Sequence, residues 1–309
     1  MEYEKSAVEG MVNGFTILIT GGTGFLGSHL ANRLSNENEI IILKRSYSDT
    51  WRIDCNENIK FYDIDKLGLE NIFKDNKIDI VIHTATKYGR NNETIEELVE
   101  SNYMFPVKIL NNSLKTYVKT FINVDTVLPK FVNIYSLTKN HFTDWLKYYS
   151  SDMKIFNLKL EHMYGEKDST TKFIPYIITS LLEEKNKIDL TEGEQERNFI
   201  YIADVAEAFK RIILQQSTYK NGLYEYEIGS EENIKIKDLV HKIRAIAGNT
   251  TTKLNFGAKS YRENELMKSH SNIEKFKEDF NWEPKVKLDE GLAKTIEWYR
   301  KRLGEKKGV

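Results

Sequence analysis

The chain of 309 residues carries one cysteine (Cys55), four prolines and a net charge of −1. A lone thiol makes neither a disulfide framework nor a thiolate metal cluster, and a reducing, cytoplasmic setting fits it. The 45 basic and 46 acidic side chains nearly cancel, which argues against a polyanion-binding surface and against nucleic acid as partner. No run approaches the roughly 18 apolar residues of a membrane span, so no membrane partner is expected. The opening segment MEYEKSAVEG is acidic and lacks the apolar run of a signal peptide. The six histidines (His29, His83, His141, His162, His241 and His270) show no ligand spacing on one element, so no metal is expected. What is present is 40% hydrophobic and 12% aromatic residues, enough for one large domain or two closely joined.

Short apolar runs at 15–20, 40–43, 59–62, 78–83, 118–124 and 153–158 read as buried strands, with helical periodicity at 28–36, 94–115 and 135–149. Strands alternating with helices predict an α/β fold, a doubly wound parallel sheet covered on both faces and joined by right-handed crossovers. After about residue 160 the alternation loosens: 172–184, 204–216, 236–247 and 290–302 read as helices and 224–228 as a strand. The expected division is a dinucleotide-binding domain at 15–160, to which some later segments return, and a smaller mixed α/β substrate lobe at 161–309. The first fourteen residues precede the first strand and carry no assigned role.

The first strand enters Thr20-Gly21-Gly22-Thr23-Gly24-Phe25-Leu26-Gly27, a G-x-x-G-x-x-G turn. Gly21 permits the tight strand-to-helix turn, Gly24 lets backbone N–H groups approach a pyrophosphate, and Gly27 allows close helix packing. In this setting the pattern predicts a bound dinucleotide. Which dinucleotide depends on the end of the second strand, where an NAD site places an acid for the ribose hydroxyls. Here the strand ends in Lys44-Arg45-Ser46, two cations and a hydroxyl suited to a 2′-phosphate. NADP(H) is therefore expected over NAD(H), against the bland reading of a solvated Lys-Arg pair.

Tyr135 and Lys139 stand four apart, on one helix face, in Tyr135-Ser136-Leu137-Thr138-Lys139. A nearby cation would lower the phenol from its reference near 10 and make it a proton donor and acceptor. The spacing alone is weak in a chain with 17 tyrosines, but it opens the helix after the strand that ends in Asp125-Thr126. The Thr126 hydroxyl can reach a carbonyl oxygen that the tyrosine also contacts.

Taken in order, TGGTGFLG, VIHTAT at 81–86, Asn102, VDT at 124–126 and YSLTK resemble the extended short-chain dehydrogenase/reductase family. So do EHMYG at 161–165, KFIP at 172–175, GEQERNFIYIADV at 193–205, Arg262 and NWEP at 281–284. The resemblance runs from residue 15 to 302 and implies a Rossmann-type dinucleotide fold and a homodimer joined through the helices at 94–115 and 135–149. ATKYGR at 85–90, LKLEHMYG at 158–165 and FGAKSYRENELM at 256–267 look like the branch of nucleotide 4-keto-6-deoxysugar 4-reductases. That likeness implies hydride transfer from NADPH to C4 of a CDP-, dTDP- or GDP-linked 4-keto-6-deoxyhexose. By resemblance Tyr135 protonates the developing alkoxide, Lys139 holds the nicotinamide ribose and lowers the tyrosine, and Thr126 hydrogen-bonds the carbonyl. Asp63 and Ile64 would lie by the adenine, Thr84, Ala85, Thr86 and Asn102 along the cofactor, and His162 at the pyrophosphate or simply in the structure. Thr86, Tyr88 and Arg90 would line the sugar, Lys172 and Phe173 the base or its ribose, and Arg197 and Arg262 the diphosphate.

Two features depart from the family pattern. Only eight residues separate Thr126 from Tyr135, and His162 stands where many relatives carry Asn. A 4,6-dehydratase needs an acid and a base directly after the threonine, and Val127-Leu128 occupy those places. A 3,5-epimerase/reductase needs a Cys and His pair, and Cys55 is far along the chain from Tyr135. A 4-epimerase or a dehydrogenase with tightly held NAD uses the same Thr, Tyr and Lys and remains the second reading. A non-catalytic dinucleotide sensor is the third.

Overall fold

The computed structural model describes residues 14–90, 92–269 and 271–307, with the side chains of 306 and 307 left aside. Residues 1–13 and His270 lie outside the described residues, so the segment without an assigned role stays so. Two compact units form. The first holds the chain up to Leu160 together with Ala206–Glu227, and the second holds Glu161–Val205 and the chain from Ile228 onward.

In the first unit, apolar strands β1 (Thr16–Thr20), β2 (Glu39–Lys44), β3 (Ile59–Asp63), β4 (Ile80–His83), β5 (Thr120–Thr126) and β6 (Lys154–Leu160) pair in parallel. Their order is β3-β2-β1-β4-β5-β6, with β10 (Gly222–Ile228) on the edge beside β6. This is the doubly wound arrangement, which reverses direction between β1 and β4 and opens a crevice at the carboxyl ends of the strands. Strands buried on both faces need near-continuous apolar runs, which IIIL at 40–43 supplies. Helices α1 (Phe25–Leu34), α2 (Leu69–Asp75), α3 (Ile95–Val99), α4 (Phe105–Lys115) and α5 (Ile134–Tyr148) connect them. Ile72, Phe73, Ile109, Leu110, Phe142 and Leu146 pack with strand residues Leu18, Ile41, Val81 and Phe121 in one buried cluster.

The periodicity predicts one helix over 94–115, but the structure breaks it into α3, a π-helical turn at Glu100–Met104, and α4. Pro106 explains the break, because it has no N–H to give and its ring clashes with the carbonyl four residues back. The strand expected at 118–124 also runs two residues later, which puts Asp125 and Thr126 inside β5.

The second unit is built from short strands β7 (His162–Tyr164) and β9 (Glu196–Tyr201), parallel to each other, and β11 (Asn233–Lys235), antiparallel to β9. A second ribbon pairs β8 (Lys187–Asp189) with β12 (Lys253–Asn255). Helices α6 (Phe173–Leu182), α8 (Ile236–Ala247), α9 (Glu274–Phe280) and α10 (Leu288–Lys307) belong to it, and α7 (Ile202–Gln215) leads from it into the first unit. β7, β8, β11 and β12 escape sequence reading because three residues carry no usable period.

Candidate active site

The expected turn residues follow β1 directly. Gly21 has φ +66°, and a Cβ there would lie 2.7 Å from the Ala85 nitrogen and 2.9 Å from Thr84 Oγ1. A Cβ on Gly27 would collide with the Gly21 carbonyl and come within 2.7 Å of Gly22 Cα. The Gly24 N–H donates to the Gly21 carbonyl (2.9 Å) and the Ser28 N–H to the Gly24 carbonyl (3.0 Å), closing the turn onto α1. Gly24 caps α1 without a side-chain acceptor, so the first N–H groups of the helix, from Phe25 and Leu26 on, are left for an anion. Thr23 is half-buried on the same turn. Opposite, the Thr84 hydroxyl donates to the Thr20 carbonyl (2.7 Å) and the Ala85 N–H to Thr20 Oγ1 (3.3 Å). This close-packed glycine cradle fits a dinucleotide pyrophosphate.

The corner at the end of β2 is less cationic than its sequence. Lys44 faces Asp63 across the β2–β3 register and pairs with it at 2.6 Å, and Lys66 joins at 3.4 Å. The hydrogen bond from Lys44 holds the Asp63 carboxyl below its usual range. Asp63 is thus committed to a lysine, and Ile64 is fixed by its N–H to the Lys44 carbonyl (2.9 Å). Ser46 donates from both its N–H (2.8 Å) and its hydroxyl (2.6 Å) to Asp65, an acid the sequence reading passed over. Its signal was present two residues after β3, but pairing across strands is not written along the chain. Among the described residues Arg45 has no carboxylate partner. It donates to Tyr47 (3.0 Å) and lies over that ring. Arg52 also enters the neighbourhood, with its guanidinium 4.4 Å from the Trp51 ring centroid and one nitrogen 3.5 Å from the Thr23 carbonyl.

Thr126 ends β5, and its Oγ1 accepts the Leu128 N–H (3.2 Å). The eight-residue connection then turns through a Val132 N–H to Pro129 carbonyl bond (3.2 Å) and enters α5 by a capping box between Asn133 and Ser136. That box sets the first turn of α5, on which Tyr135 stands, with Lys139 one turn on and buried to 2% exposure. Desolvation pushes the Tyr135 phenol well up, and the charges of Tyr88 and Asp125 add to it. The Thr126 hydroxyl and the Arg90 guanidinium act the other way. Burial brings the Lys139 ammonium down to about 8, and Arg90 is a cation that acts to lower Tyr135. The Tyr88 and Tyr135 rings lie 5.2 Å apart, with Arg90 5.6 Å from the Tyr88 centroid.

Asn102 sits in the π-helical turn and is buried. Its Oδ1 accepts from Thr86 Oγ1 (3.1 Å) and the Lys87 N–H (2.8 Å), while its Nδ2 donates to the Lys87 carbonyl (2.8 Å) and to Thr138 (3.3 Å). It therefore clamps the loop after β4 onto α5. The π turn explains how an inward Asn is accommodated there. His83 is fully buried at the end of β4 with Nδ1 2.8 Å from Thr20 Oγ1. Desolvation and the Lys139 charge push its imidazole well below its usual range.

The remaining candidates lie in the second unit. His162 opens β7 with its Nδ1 3.4 Å from the buried Glu161 carboxylate and its ring 5.5 Å from Phe199. Lys172 is the N-cap of α6 and Phe173 its first residue. Arg197, expected at a diphosphate, is 12% exposed in its side chain and ion-paired with Glu265. Arg262 is exposed in the turn before Glu265.

With this geometry in place, residues 17–229 match the model of the NAD dependent epimerase/dehydratase family. The chain belongs to that family. It is an enzyme of the NAD(P)-dependent oxidoreductase type. A CDP-abequose synthase of Salmonella muenchen is 32% identical over 291 residues, covering 91% of this chain and 96% of that protein. A second, from Salmonella typhimurium, is 29% identical with 91% and 97% covered. Among solved structures, an epimerase of Methanothermobacter thermautotrophicus superposes with TM-score 0.85 at 20% identity, covering 96% of both chains. A UDP-glucose 4-epimerase of Thermotoga maritima gives 0.82 at 24% identity, covering 94% of this chain and 100% of the other. These likenesses establish the Rossmann-type fold. Among the described residues no helix is long and apolar enough to cross a membrane.

Proposed function

We propose that the chain is a cytoplasmic NADPH-dependent reductase of a nucleoside-diphosphate-4-keto-6-deoxyhexose, serving deoxysugar synthesis for a surface polysaccharide. The observation that carries this is a threonine, tyrosine and lysine at the end of β5 and on α5, with the phenol held protonated and Val127-Leu128 where an eliminating acid and base would stand. The similarity to CDP-abequose synthases over nearly the whole chain supports it and favours a CDP-linked substrate over dTDP- or GDP-linked ones. When bound, the nicotinamide supplies a hydride to the C4 carbonyl carbon. Thr126 orients the carbonyl through its hydroxyl, Tyr135 gives its phenolic proton to the oxygen as the alcohol forms, and Lys139 stands one turn away to hold the ribose and ease reprotonation from solvent. Arg45 is the residue proposed for the 2′-phosphate, since Lys44 is neutralised by Asp63. Lys172, Phe173 and Arg262 are proposed for the nucleotide and its diphosphate, and Tyr88 for the sugar.

A second reading, a 4-epimerase holding NAD, is favoured by the two acids at the β2 corner, Asp63 and Asp65. Deuterium separates the two. With NADPH deuterated at the transferring position, the reductase places one deuterium at C4 of the sugar, read by mass spectrometry. Interconversion of C4 epimers without added cofactor and without deuterium uptake would establish the epimerase.

For assembly we propose a homodimer through the helices flanking the π turn and α5. There Ile95 and Tyr148 are 61% and 76% exposed, and Trp145 donates to Tyr103 (2.7 Å).

A further inference from the structure

A buried carboxylate lies behind the reacting groups. Asp125 is 3% exposed in β5, directly before Thr126. Its Oδ1 accepts the Thr126 N–H (2.8 Å), and its Oδ2 accepts from Thr143 of α5 (3.0 Å) and Asn157 Nδ2 of β6 (3.0 Å). Asn157 is in turn fixed by Asn123 Nδ2 (2.7 Å). Tyr135, Lys139 and Thr143 follow one another at one-turn spacing on the face of α5 that meets β5. Thr126 acts on the first of them and Asp125 is bonded to the last, so Lys139 is held between. Thr143 also donates to the Lys139 carbonyl (3.3 Å), which ties the two together.

No cation pairs with Asp125 within ion-pair distance among the described residues. The other acid on this network, Glu225, accepts from Asn157 (3.2 Å) and has Lys159 at 3.4 Å. Burying a carboxylate is costly, and at Asp125 three donors rather than an adjacent cation offset that cost. We propose that Asp125 is a positioning residue whose fixed negative charge keeps the proton on Lys139 and on Tyr135, biasing the site toward giving a proton and so toward reduction.

The other groups facing this pair do not supply that charge. From β4, His83 is held well below its usual range by burial and then by the Lys139 charge. From the loop after β4, Arg90 acts on Tyr135 in the opposite sense and Tyr88 in the same sense. Burial alone drives Lys139 toward the neutral form, and Asp125 is the group that opposes it. Because the same charge also raises Tyr135, one carboxylate retains both protons.

The bias toward reduction rests on the reductase reading, but the retention of charge on Lys139 does not, and the test uses no substrate. NMR of protein carrying lysine labelled at Cε, with the signal assigned through Lys139→Gln, reads the protonation of Lys139 directly. In the unaltered chain it should titrate near pH 8. In Asp125→Asn the midpoint should fall by about one unit or more, the effect of removing an opposite charge at close range. Asp125→Glu, which keeps the charge, should recover part of the shift. An unchanged midpoint in folded Asp125→Asn overturns the proposal. Where that variant does not fold, Asp125→Ser gives the same reading, since a hydroxyl still exchanges hydrogen bonds with Thr143 and Asn157. A merely structural role would lower stability and leave the midpoint in place.

Discussion

At the residue scale, the chemistry turns on what burial does to a phenol and an ammonium one turn apart. Tyr135→Phe keeps the ring and removes the proton, so turnover should fall by roughly 10²–10⁴-fold while dinucleotide affinity, read by fluorescence titration, stays nearly intact. Retained turnover would mean that another group gives the proton. Lys139 allows a signed prediction on stability. Its folded value of about 8 lies below its reference of 10.5, so between those values the unfolded chain binds more protons than the folded one. Stability therefore rises as pH increases from 8 to 10.5, and below 8 the full cost of the buried charge is present. Lys139→Met should accordingly raise stability at pH 7 by on the order of a few kcal/mol in urea unfolding, while disabling the enzyme. A lower stability for that variant would contradict the account. The placement of Thr126, Tyr135 and Lys139 was legible because their spacing and position after a strand are written in the chain. Asp125 was legible only as part of VDT, because its three partners come from β5, α5 and β6.

At the element scale, the glycine turn and the π turn hold opposite edges of the loop after β4. Gly27→Ala would drive a methyl into the Gly21 carbonyl and Gly22, so α1 must shift off the turn. Dinucleotide binding should weaken at least tenfold by fluorescence titration, and unchanged affinity would show that the turn is not the pyrophosphate cradle. Asn102→Ala leaves the Lys87 N–H and carbonyl without their partner, a loss of about 1–3 kcal/mol in denaturant unfolding. The strands and α5 could be read from period and placement. The break in the 94–115 helix could have been suspected from Pro106, but the π turn itself has no period of its own. The Lys44–Asp63 pair was hidden for a different reason, since β2–β3 register decides which residues of the two strands meet.

At the scale of the whole molecule, the doubly wound order brings Gly21, Thr84 and Thr126 to the carboxyl ends of adjacent strands, which is why residues far apart in sequence share one site. The same unit presents Trp145, Tyr148 and Ile95 on its surface. If those side chains join two copies, light scattering at micromolar concentration gives the mass of two chains, and Trp145→Glu gives that of one. A single-chain mass for the unaltered protein would remove the homodimer. The central claim is reductive turnover with NADPH, and the most direct measurement follows absorbance at 340 nm. NADPH and NADH are supplied in parallel with CDP-, dTDP- and GDP-linked 4-keto-6-deoxy sugars. The account predicts rapid NADPH consumption with the CDP-linked ketone and slower use of NADH. Consumption of neither cofactor, by protein that carries NAD which does not exchange, would contradict it and leave the epimerase in its place.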